Sequence, residues 1–187
     1  MLQTLNPQTN LTTQRLLLRE ITLSDAPEMF RLRSDEQIMK YIGRPRAKRI
    51  EDAEELITRI SQNIERNTSR NWGITMQGND KIIGSIGFVT IIPEHFRAEL
   101  GYLLDPHFQR QGIMHEAIQA VLHYGFAEMN LHSVEAITAP ENEASNNILL
   151  KSGFILEGHF KEDFYFDGKF LDSNVFSLLK SNFSVVI

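Results

Sequence analysis

The chain has 187 residues, 42% of them hydrophobic, and a formal net charge of −5 at pH 7. This length and composition fit one domain, residues 1–187, with a single substantial core. The absence of cysteine excludes disulfides, thiolate metal sites and a cysteine nucleophile. The acidic balance argues against a nucleic-acid-binding surface, because neutralising phosphates takes clustered Lys and Arg.

Membrane and metal-binding proteins are also disfavoured. No stretch has the apolar length that spans a bilayer, and the N-terminus has neither a basic start nor an apolar signal core. We therefore expect a cytoplasmic protein that binds no membrane. The histidines are scattered, and His115 and His123 are too far apart for an i,i+4 metal pair, so no metal site is expected.

The first half of the sequence predicts a strand, two helices and a hairpin. In order, it contains an extended lead-in (1–13), a strand (15–21), a helix capped by Ser24 or Asp25, an irregular connection (35–43), a surface helix (50–66) and a hairpin turning at 78–80. Apolar residues in the 50–66 segment recur at three- and four-residue steps, which indicates one buried stripe.

The second half predicts a strand, a long helix, a strand, a short helix and a last hairpin. Residues 96–104 alternate, with Phe96, Ala98, Leu100, Tyr102 and Leu104 on one face and Arg97, Glu99, Gly101 and Leu103 on the other. After the long helix come a strand (132–139), a short helix (142–151) and a strand pair that turns near Asp167-Gly168. Together these elements predict an α/β (α+β) domain with a mixed, mostly antiparallel sheet.

The junction at residues 106–117 joins the strand 96–104 to the long helix. A turn centred on Gly112 lets consecutive backbone N–H groups point into one concavity, and the helix adds its unpaired first-turn N–H groups and the positive end of its dipole. Phosphates bind such places. A one-glycine junction is also typical of an ordinary β–α turn, so the flanking residues have to decide between the two interpretations.

Three blocks of sequence carry a family resemblance. The first is the run Gln109-x-x-Gly112-x, which follows Ala98-Glu-Leu-Gly-Tyr-Leu-Leu-Asp-Pro106; the others are Glu141-Asn-Glu-Ala-Ser-Asn146 and Lys151-Ser-Gly-Phe154. In order and spacing they resemble the RimJ/RimL branch of the GNAT acetyltransferases, from about residue 13 onward. The resemblance implies a GNAT fold with helices on both faces of a sheet that splays in the middle.

The resemblance also implies acetyl-CoA as the acyl donor, with no metal. The pantetheine would pair with the backbone of Tyr102, Leu103 and Leu104, and the diphosphate would lie on the loop of Gln109, Arg110, Gln111, Gly112, Ile113, Met114 and His115. Met114 stands where the family more usually has Gly or Ala, so its side chain must point away from the phosphates. Asn142 matches an asparagine whose amide contacts the cofactor, although a plain helix cap explains it equally well.

The proton carriers are harder to assign from the resemblance. Leu149 stands where many members have a tyrosine acid, so Ser145, the nearest hydroxyl, takes that role near the sulfur. Ile137 stands where one branch has its base. Glu99, on the strand before the loop, is the better candidate for general base, with Glu135 as the fallback. A solvent-facing or salt-bridged glutamate is the alternative interpretation of Glu99.

The predicted function is transfer of acetyl from acetyl-CoA to a primary amine, by direct attack in a ternary complex. The acceptor is expected to be a protein or peptide N-terminus. The alternatives are a small amine such as a polyamine, amino acid or aminoglycoside, and a CoA-binding module without catalysis. The basic stretch 44–49 is predicted to be a solvated loop, with an acidic substrate or a nucleotide 3′-phosphate as its other use. Homo-oligomerisation is left open.

Overall fold

A computed structural model describes residues 9–184. Its strands are β1 (Leu11–Thr12), β2 (Leu16–Arg19), β3 (Arg70–Met76), β4 (Gly84–Ile92), β5 (Arg97–Leu104), β6 (Ser133–Thr138), β7 (Ile155–Phe166) and β8 (Lys169–Leu179). Its helices are α1 (Ala26–Ser34), α2 (Glu36–Met39), α3 (Ile50–Glu65), α4 (Ile113–Ala127) and α5 (Glu143–Lys151). Most of the predicted lead-in, residues 1–8, lies outside the described residues; its last part contributes β1.

The strands form one sheet in the order β1-β2-β3-β4-β5-β6-β8-β7. Neighbouring strands are antiparallel except for β5 and β6, which run parallel. The predicted mixed, mostly antiparallel sheet is therefore confirmed. Among the described residues, no helix is long and apolar enough to cross a membrane.

The sheet splays between β5 and β6. Their register covers only Arg97↔Ser133, Ala98↔Val134 and Glu99↔Glu135. Beyond Glu99, β5 continues to Leu104 with β4 as its one neighbour among the described strands. At the same level, a β-bulge between Phe88 and Thr90 shifts the register of β4 against β5. Because a bulge bends its strand and increases the local twist, it helps to turn β5 away from β6.

Two hydrophobic cores lie on the two faces of the sheet. The larger includes the buried residues of α4 together with Ala98, Leu100 and Leu104 of β5, and the smaller includes α1, α3 and Leu103. Successive β5 side chains therefore enter different cores, as the alternation in the sequence predicted. This arrangement gives the predicted helices on both faces.

The structure departs from the predicted elements in the connection 35–43 and at Phe96. The connection contains α2, a one-turn helix whose N-terminus is capped by Asp35, because the Asp35 carboxylate accepts hydrogen bonds from the backbone N–H groups of Gln37 and Ile38. Phe96 adopts a left-handed φ of 50° after the turn Pro93–His95, so β5 begins one residue later than predicted.

The last hairpin, β7 and β8, is a long two-stranded ribbon. Asp167 and Gly168 both have positive φ, 49° and 80°, as two-residue hairpin turns of this kind require. Near this turn the Phe164 ring packs against Gly43, where a side-chain Cβ would overlap the ring. The ribbon therefore contacts the loop after α2.

Candidate active site

The loop between β5 and α4 begins at the end of β5, where β5 and β6 have separated. Asp105 begins it: one carboxylate oxygen accepts hydrogen bonds from the His107 N–H and Nδ1, and the other accepts from Arg31 at 2.5 Å. Burial alone would raise the pKa of the Asp105 carboxyl, but these hydrogen bonds and the Arg31 charge outweigh it and lower that pKa. The loop therefore starts from a fixed, ionised anchor.

The amides of residues 110–115 are free to bind a ligand. Arg110 and Gly112 have left-handed φ values of 59° and 76°, a conformation that costs a non-glycine residue roughly 1–2 kcal/mol. Within residues 9–184, no acceptor takes a hydrogen bond from these six backbone N–H groups; the first amide of α4 to be bonded is that of Glu116, to the Gly112 carbonyl. Such consecutive donors at a helix N-terminus form an anion cradle.

Arg15 and Glu116 hold this cradle from outside. The Glu116 carboxylate accepts hydrogen bonds from Arg15 Nε at 2.6 Å, from the Arg15 backbone N–H at 2.9 Å and from Thr13 Oγ1 at 2.5 Å. Arg15 Nη1 also donates to the Gln111 carbonyl at 2.9 Å. Sequence reasoning missed this network, because its partners lie about 100 residues apart.

The side chains of the loop residues hydrogen-bond to nearby groups or pack into the core. Gln109 Nε2 donates to the Leu104 carbonyl at 3.3 Å, and Gln111 Nε2 to the His107 carbonyl at 2.9 Å. Met114 is buried in the larger core with Ile113, so its side chain lies away from the free amides. His115 Nδ1 lies 3.1 Å from Ser152 Oγ, and burial together with the Lys151 charge lowers the His115 pKa, which favours the neutral imidazole.

The next wall of the site is the unpaired edge of β5. It includes the predicted residues Tyr102, Leu103 and Leu104; Leu103 and Leu104 have buried side chains, and Tyr102 packs partly against the larger core. Because no strand of residues 9–184 lies beside this part of β5 on the β6 side, its main-chain groups remain able to pair with an extended ligand.

The side chains of Tyr102 and Ser145 contact each other across the gap between β5 and β6. The Tyr102 hydroxyl lies 2.7 Å from Ser145 Oγ, near the start of α5. Burial raises the Tyr102 pKa to about 12, so the phenol remains protonated at neutral pH. Asn142 acts as the N-cap of α5, because its side-chain oxygen accepts a hydrogen bond from the Ser145 N–H at 3.2 Å. Leu149 is fully buried.

Glu99 and Glu135 face each other at the last rung of the β5–β6 pair. Burial, and then the Glu135 charge, raise the Glu99 pKa; Thr90 Oγ1 donates to Glu99 at 3.3 Å. Glu135 instead forms an ion pair with Arg97. Glu99 thus has a raised pKa and, among residues 9–184, no cationic hydrogen-bond partner.

The sheet separates the candidate base from the candidate acid. Glu99 belongs to the β5 face that carries Leu103 into the smaller core, whereas Tyr102 packs against the larger core beside α5. The structure therefore brings Ser145 to Tyr102, and brings Glu99 to Thr90 and Glu135. Among residues 9–184, no group of three or more potential metal ligands occurs.

Comparisons with known proteins identify the family. The model of the acetyltransferase (GNAT) domain matches residues 15–155. The uncharacterized N-acetyltransferase YoaA of Bacillus subtilis is 36% identical over 91% of this chain and 96% of YoaA. The spermidine N(1)-acetyltransferase of Vibrio cholerae is 26% identical over 90% of this chain and 95% of that protein. The ribosomal-protein-serine acetyltransferase of Escherichia coli is 36% identical over 52% of this chain and 55% of that protein.

Solved structures share the fold. A GNAT-family acetyltransferase from Bacillus anthracis matches with a TM-score of 0.82 at 29% identity, covering 92% of this chain and 99% of that one. RimL, a ribosomal alpha-N-protein acetyltransferase in complex with coenzyme A, matches in fold with a TM-score of 0.84 at 23% identity, covering 91% of this chain and 98% of that one. The similarity to the ribosomal-protein-serine acetyltransferase over part of the chain is consistent with the RimJ/RimL-like branch. The chain therefore belongs to the GNAT family and is an N-acetyltransferase.

Proposed function

We propose that this enzyme transfers acetyl from acetyl-CoA directly to a primary amine within a ternary complex, and that the amine is a protein or peptide N-terminus. One observation carries the proposal: the six consecutive amides 110–115 and the edge of β5 just before them both lack a hydrogen-bonded partner among residues 9–184. Coenzyme A has a diphosphate, which suits the free amides, and an extended pantetheine chain, which suits the strand edge. Binding both parts requires the two features to lie side by side.

The residues of the loop fit coenzyme A. The amides from Arg110 to His115 and the dipole of α4 suit a diphosphate, and the edge of β5 at residues 102–104 can pair with the pantetheine as another strand would. Bound there, acetyl-CoA supplies an activated thioester and a thiolate leaving group. An N–H on the same edge would stabilise negative charge on the thioester oxygen. Asn142 already caps α5 through its oxygen, so its contribution to cofactor binding is proposed only through its amide NH₂ group.

Glu99 is proposed as the general base. An amine is protonated at neutral pH and must lose a proton before it attacks, and a carboxylate with a raised pKa accepts that proton more readily. Glu135 is less suited to the role because it is already ion-paired with Arg97. The proton passes to Glu99 directly or through one water molecule.

Ser145 is proposed as the acid that protonates the departing sulfur. Leu149, at the position of the usual tyrosine, is buried and has no proton to give. The Tyr102 hydroxyl, 2.7 Å from Ser145 Oγ, orients the serine hydroxyl and can return a proton to it. Tyr102 is therefore proposed as a positioning residue through its side chain, in addition to its backbone role.

A peptide acceptor is supported by the surface beside the site. The β7–β8 ribbon exposes Phe160, Tyr165 and Phe170, and its Phe164 reaches the loop after α2. Apolar surface of this kind suits contact with a polypeptide. The Escherichia coli relative is named for a ribosomal protein and the Vibrio cholerae relative for spermidine, so a small amine is the second candidate.

A panel of amines tests the proposal. Short peptides with varied first residues, N-terminally blocked copies, spermidine and free amino acids would each be supplied with acetyl-CoA, and CoA release and product mass measured. We expect unblocked peptides to react and blocked ones not to. Faster reaction of spermidine would favour the small-amine alternative, and CoA binding without any product would support the non-catalytic module.

A further inference from the structure

Ile137 of β6 is an exposed apolar residue close to the proposed base. Val134 and Ala136 of the same strand are buried in the larger core, so the alternate residues Glu135 and Ile137 lie on the opposite face of the sheet. Glu135 is paired in register with Glu99, and Ile137 comes two residues later, where β5 and β6 have already separated. Ile137 is 50% exposed there. It therefore lines the gap on the face that carries Glu99.

The bulge in β4 brings a second apolar residue to the same face. Thr90 is paired with Glu99 and donates a hydrogen bond to it at 3.3 Å. Val89, the residue before Thr90, covers Gly101, where a side-chain Cβ would lie 2.7 Å from Val89 Cγ1. Gly101 follows Glu99 by two residues and so lies on the same face of β5. Neighbouring residues of a regular strand lie on opposite faces, and the bulge allows Val89 and Thr90 to share the face of Glu99.

Ile137 and Val89 flank the gap from its two sides. If β5 and β6 did not separate, the parallel register that pairs Glu99 with Glu135 would continue with Gly101 beside Ile137. Val89 instead covers Gly101 on the β5 side and is 37% exposed, and Ile137 lies on the β6 side. A molecule that brings an amine to Glu99 from this face is therefore flanked by two partly exposed aliphatic side chains. Covering them with an apolar group removes apolar surface from water, which is favourable.

We propose that Ile137 and Val89 determine acceptor specificity, by binding an aliphatic side chain on the carbon atom that carries the amine. The inference rests on the proposed transferase function and narrows its substrate class to peptides or amino acids whose first residue is aliphatic, such as valine or leucine. A polar side chain in this place would lose water without gaining a hydrogen bond from Ile137 or Val89. Both residues select the acceptor and take no part in proton transfer.

Two pairs of peptides test this subsite. The members of each pair have nearly the same shape and differ in the polarity of the first residue: valine against threonine, and leucine against asparagine, in otherwise identical sequences. The kcat/KM of each peptide is measured with acetyl-CoA supplied. We expect the wild-type enzyme to favour valine by about fivefold and leucine by about tenfold or more, since each buried methylene group corresponds to about fourfold.

Ile137→Thr is the central variant, because it removes apolar surface at an exposed position and keeps a β-branched side chain for the strand. We expect it to lower the kcat/KM ratio of each pair by about fivefold. Ile137→Val has the same shape as Ile137→Thr and should retain more of the preference, so the difference between them reports polarity and not size. Val89→Thr should lower the ratios in the same direction as Ile137→Thr.

Ile155→Thr is the matched control. Ile155 is 52% exposed and lies on β7. The strand registers place it in one row with Ser177, Glu135 and Glu99, so it belongs to the same face of the sheet. Three strand spacings, about 14 Å, separate it from Glu99, which is beyond the reach of the acceptor's first side chain. Ile155→Thr should therefore keep the wild-type ratios.

Three results would overturn the subsite. Equal or reversed kcat/KM values within both pairs would show that no apolar contact selects the first residue. Wild-type ratios in both Ile137→Thr and Val89→Thr would place the selection elsewhere. An equal loss of the ratios in Ile155→Thr would assign the selection to the apolar surface as a whole. All three leave acetyl transfer intact, whereas failure to acetylate any amine would overturn the proposed function, and the subsite with it.

Discussion

The hydroxyl groups of Tyr102 and Ser145 lie 2.7 Å apart and join the unpaired part of β5 to the start of α5. Each residue lies on a different wall of the splay, so this hydrogen bond spans the gap in which the acyl donor is proposed to lie. With its protonated phenol beside the serine, this pair would supply the proposed proton path in a protein that has the buried Leu149 at the usual tyrosine position.

Ser145→Ala should therefore lower kcat by about 100-fold, the lower range for loss of a general acid. Tyr102→Phe should lower kcat by about tenfold, because it removes the orienting hydroxyl and leaves the ring. Since both act on one proton, the double variant should be little worse than Ser145→Ala alone. Single-turnover rates and CoA dissociation constants check this. The exposed Tyr165→Phe serves as the control, and multiplicative effects in the double variant would show that the two hydroxyls act separately.

Glu99→Gln should lower kcat/KM by about 100-fold without changing CoA affinity. The base works ionised, so in the wild-type enzyme kcat/KM should rise with pH through the raised Glu99 pKa. Glu135→Gln removes a repelling charge and frees Arg97, and both changes lower the Glu99 pKa. The acidic limb of the pH profile should then move to lower pH; a limb that stays in place would rule out Glu99 as its source.

The raised Glu99 pKa that favours proton uptake also affects the stability of the fold, and this effect is unfavourable at high pH. The Glu99 pKa is higher in the folded than in the unfolded chain, so its contribution to folding is most favourable at low pH and is lost as pH rises through the folded value. Glu99→Gln should therefore raise the free energy of unfolding above that pH and have little effect below it. Urea unfolding of both proteins at acidic and neutral pH measures the difference.

The sequence predicts the helices, the strands and their buried faces well, but it does not predict which distant residues contact each other. The difference has a physical reason. The faces of Ala98 and Leu103, and the buried stripe of α3, follow from residue spacing, because side-chain direction repeats with a fixed period. The Tyr102–Ser145 contact and the Glu99↔Glu135 rung join residues 43 and 36 positions apart. Which residues meet depends on strand register and on the bulge in β4, and neither leaves a local signal in the sequence.

The loop network gives a prediction on cofactor affinity. Glu116→Gln weakens the hydrogen bonds from Thr13 and Arg15, and Arg15→Gln also removes the donor to the Gln111 carbonyl. Each variant should weaken CoA binding by about tenfold with little change in kcat, because the loop amides are less well ordered before the ligand binds. Calorimetric titration with CoA measures this, with Arg46→Gln as the control. Unchanged affinity in both variants would show that the loop holds its shape without them.

Gly112→Ala tests the cradle itself. The left-handed φ of 76° at this residue should cost alanine about 1 kcal/mol in the native loop. Space is not limiting, since the nearest atom to a new Cβ is Arg15 Nη2 at 3.4 Å. Loss of CoA affinity should therefore exceed loss of stability, as the amides turn away from the phosphates. Gly78→Ala, at a similar φ of 78° in the β3–β4 turn, should lose stability alone.

The contact between Phe164 and Gly43 predicts a suppressor pair. A methyl group at Gly43 would overlap the Phe164 ring, so Gly43→Ala should push the ribbon away from the loop after α2. We expect the KM for the acceptor to rise several-fold and stability to fall by about 1 kcal/mol, with acetyl-CoA affinity unchanged. Phe164→Leu removes the ring edge, so the double variant should recover most of the lost stability, and the coupling in a double-mutant cycle should be favourable. Additive effects would show that the ring and the loop do not constrain each other.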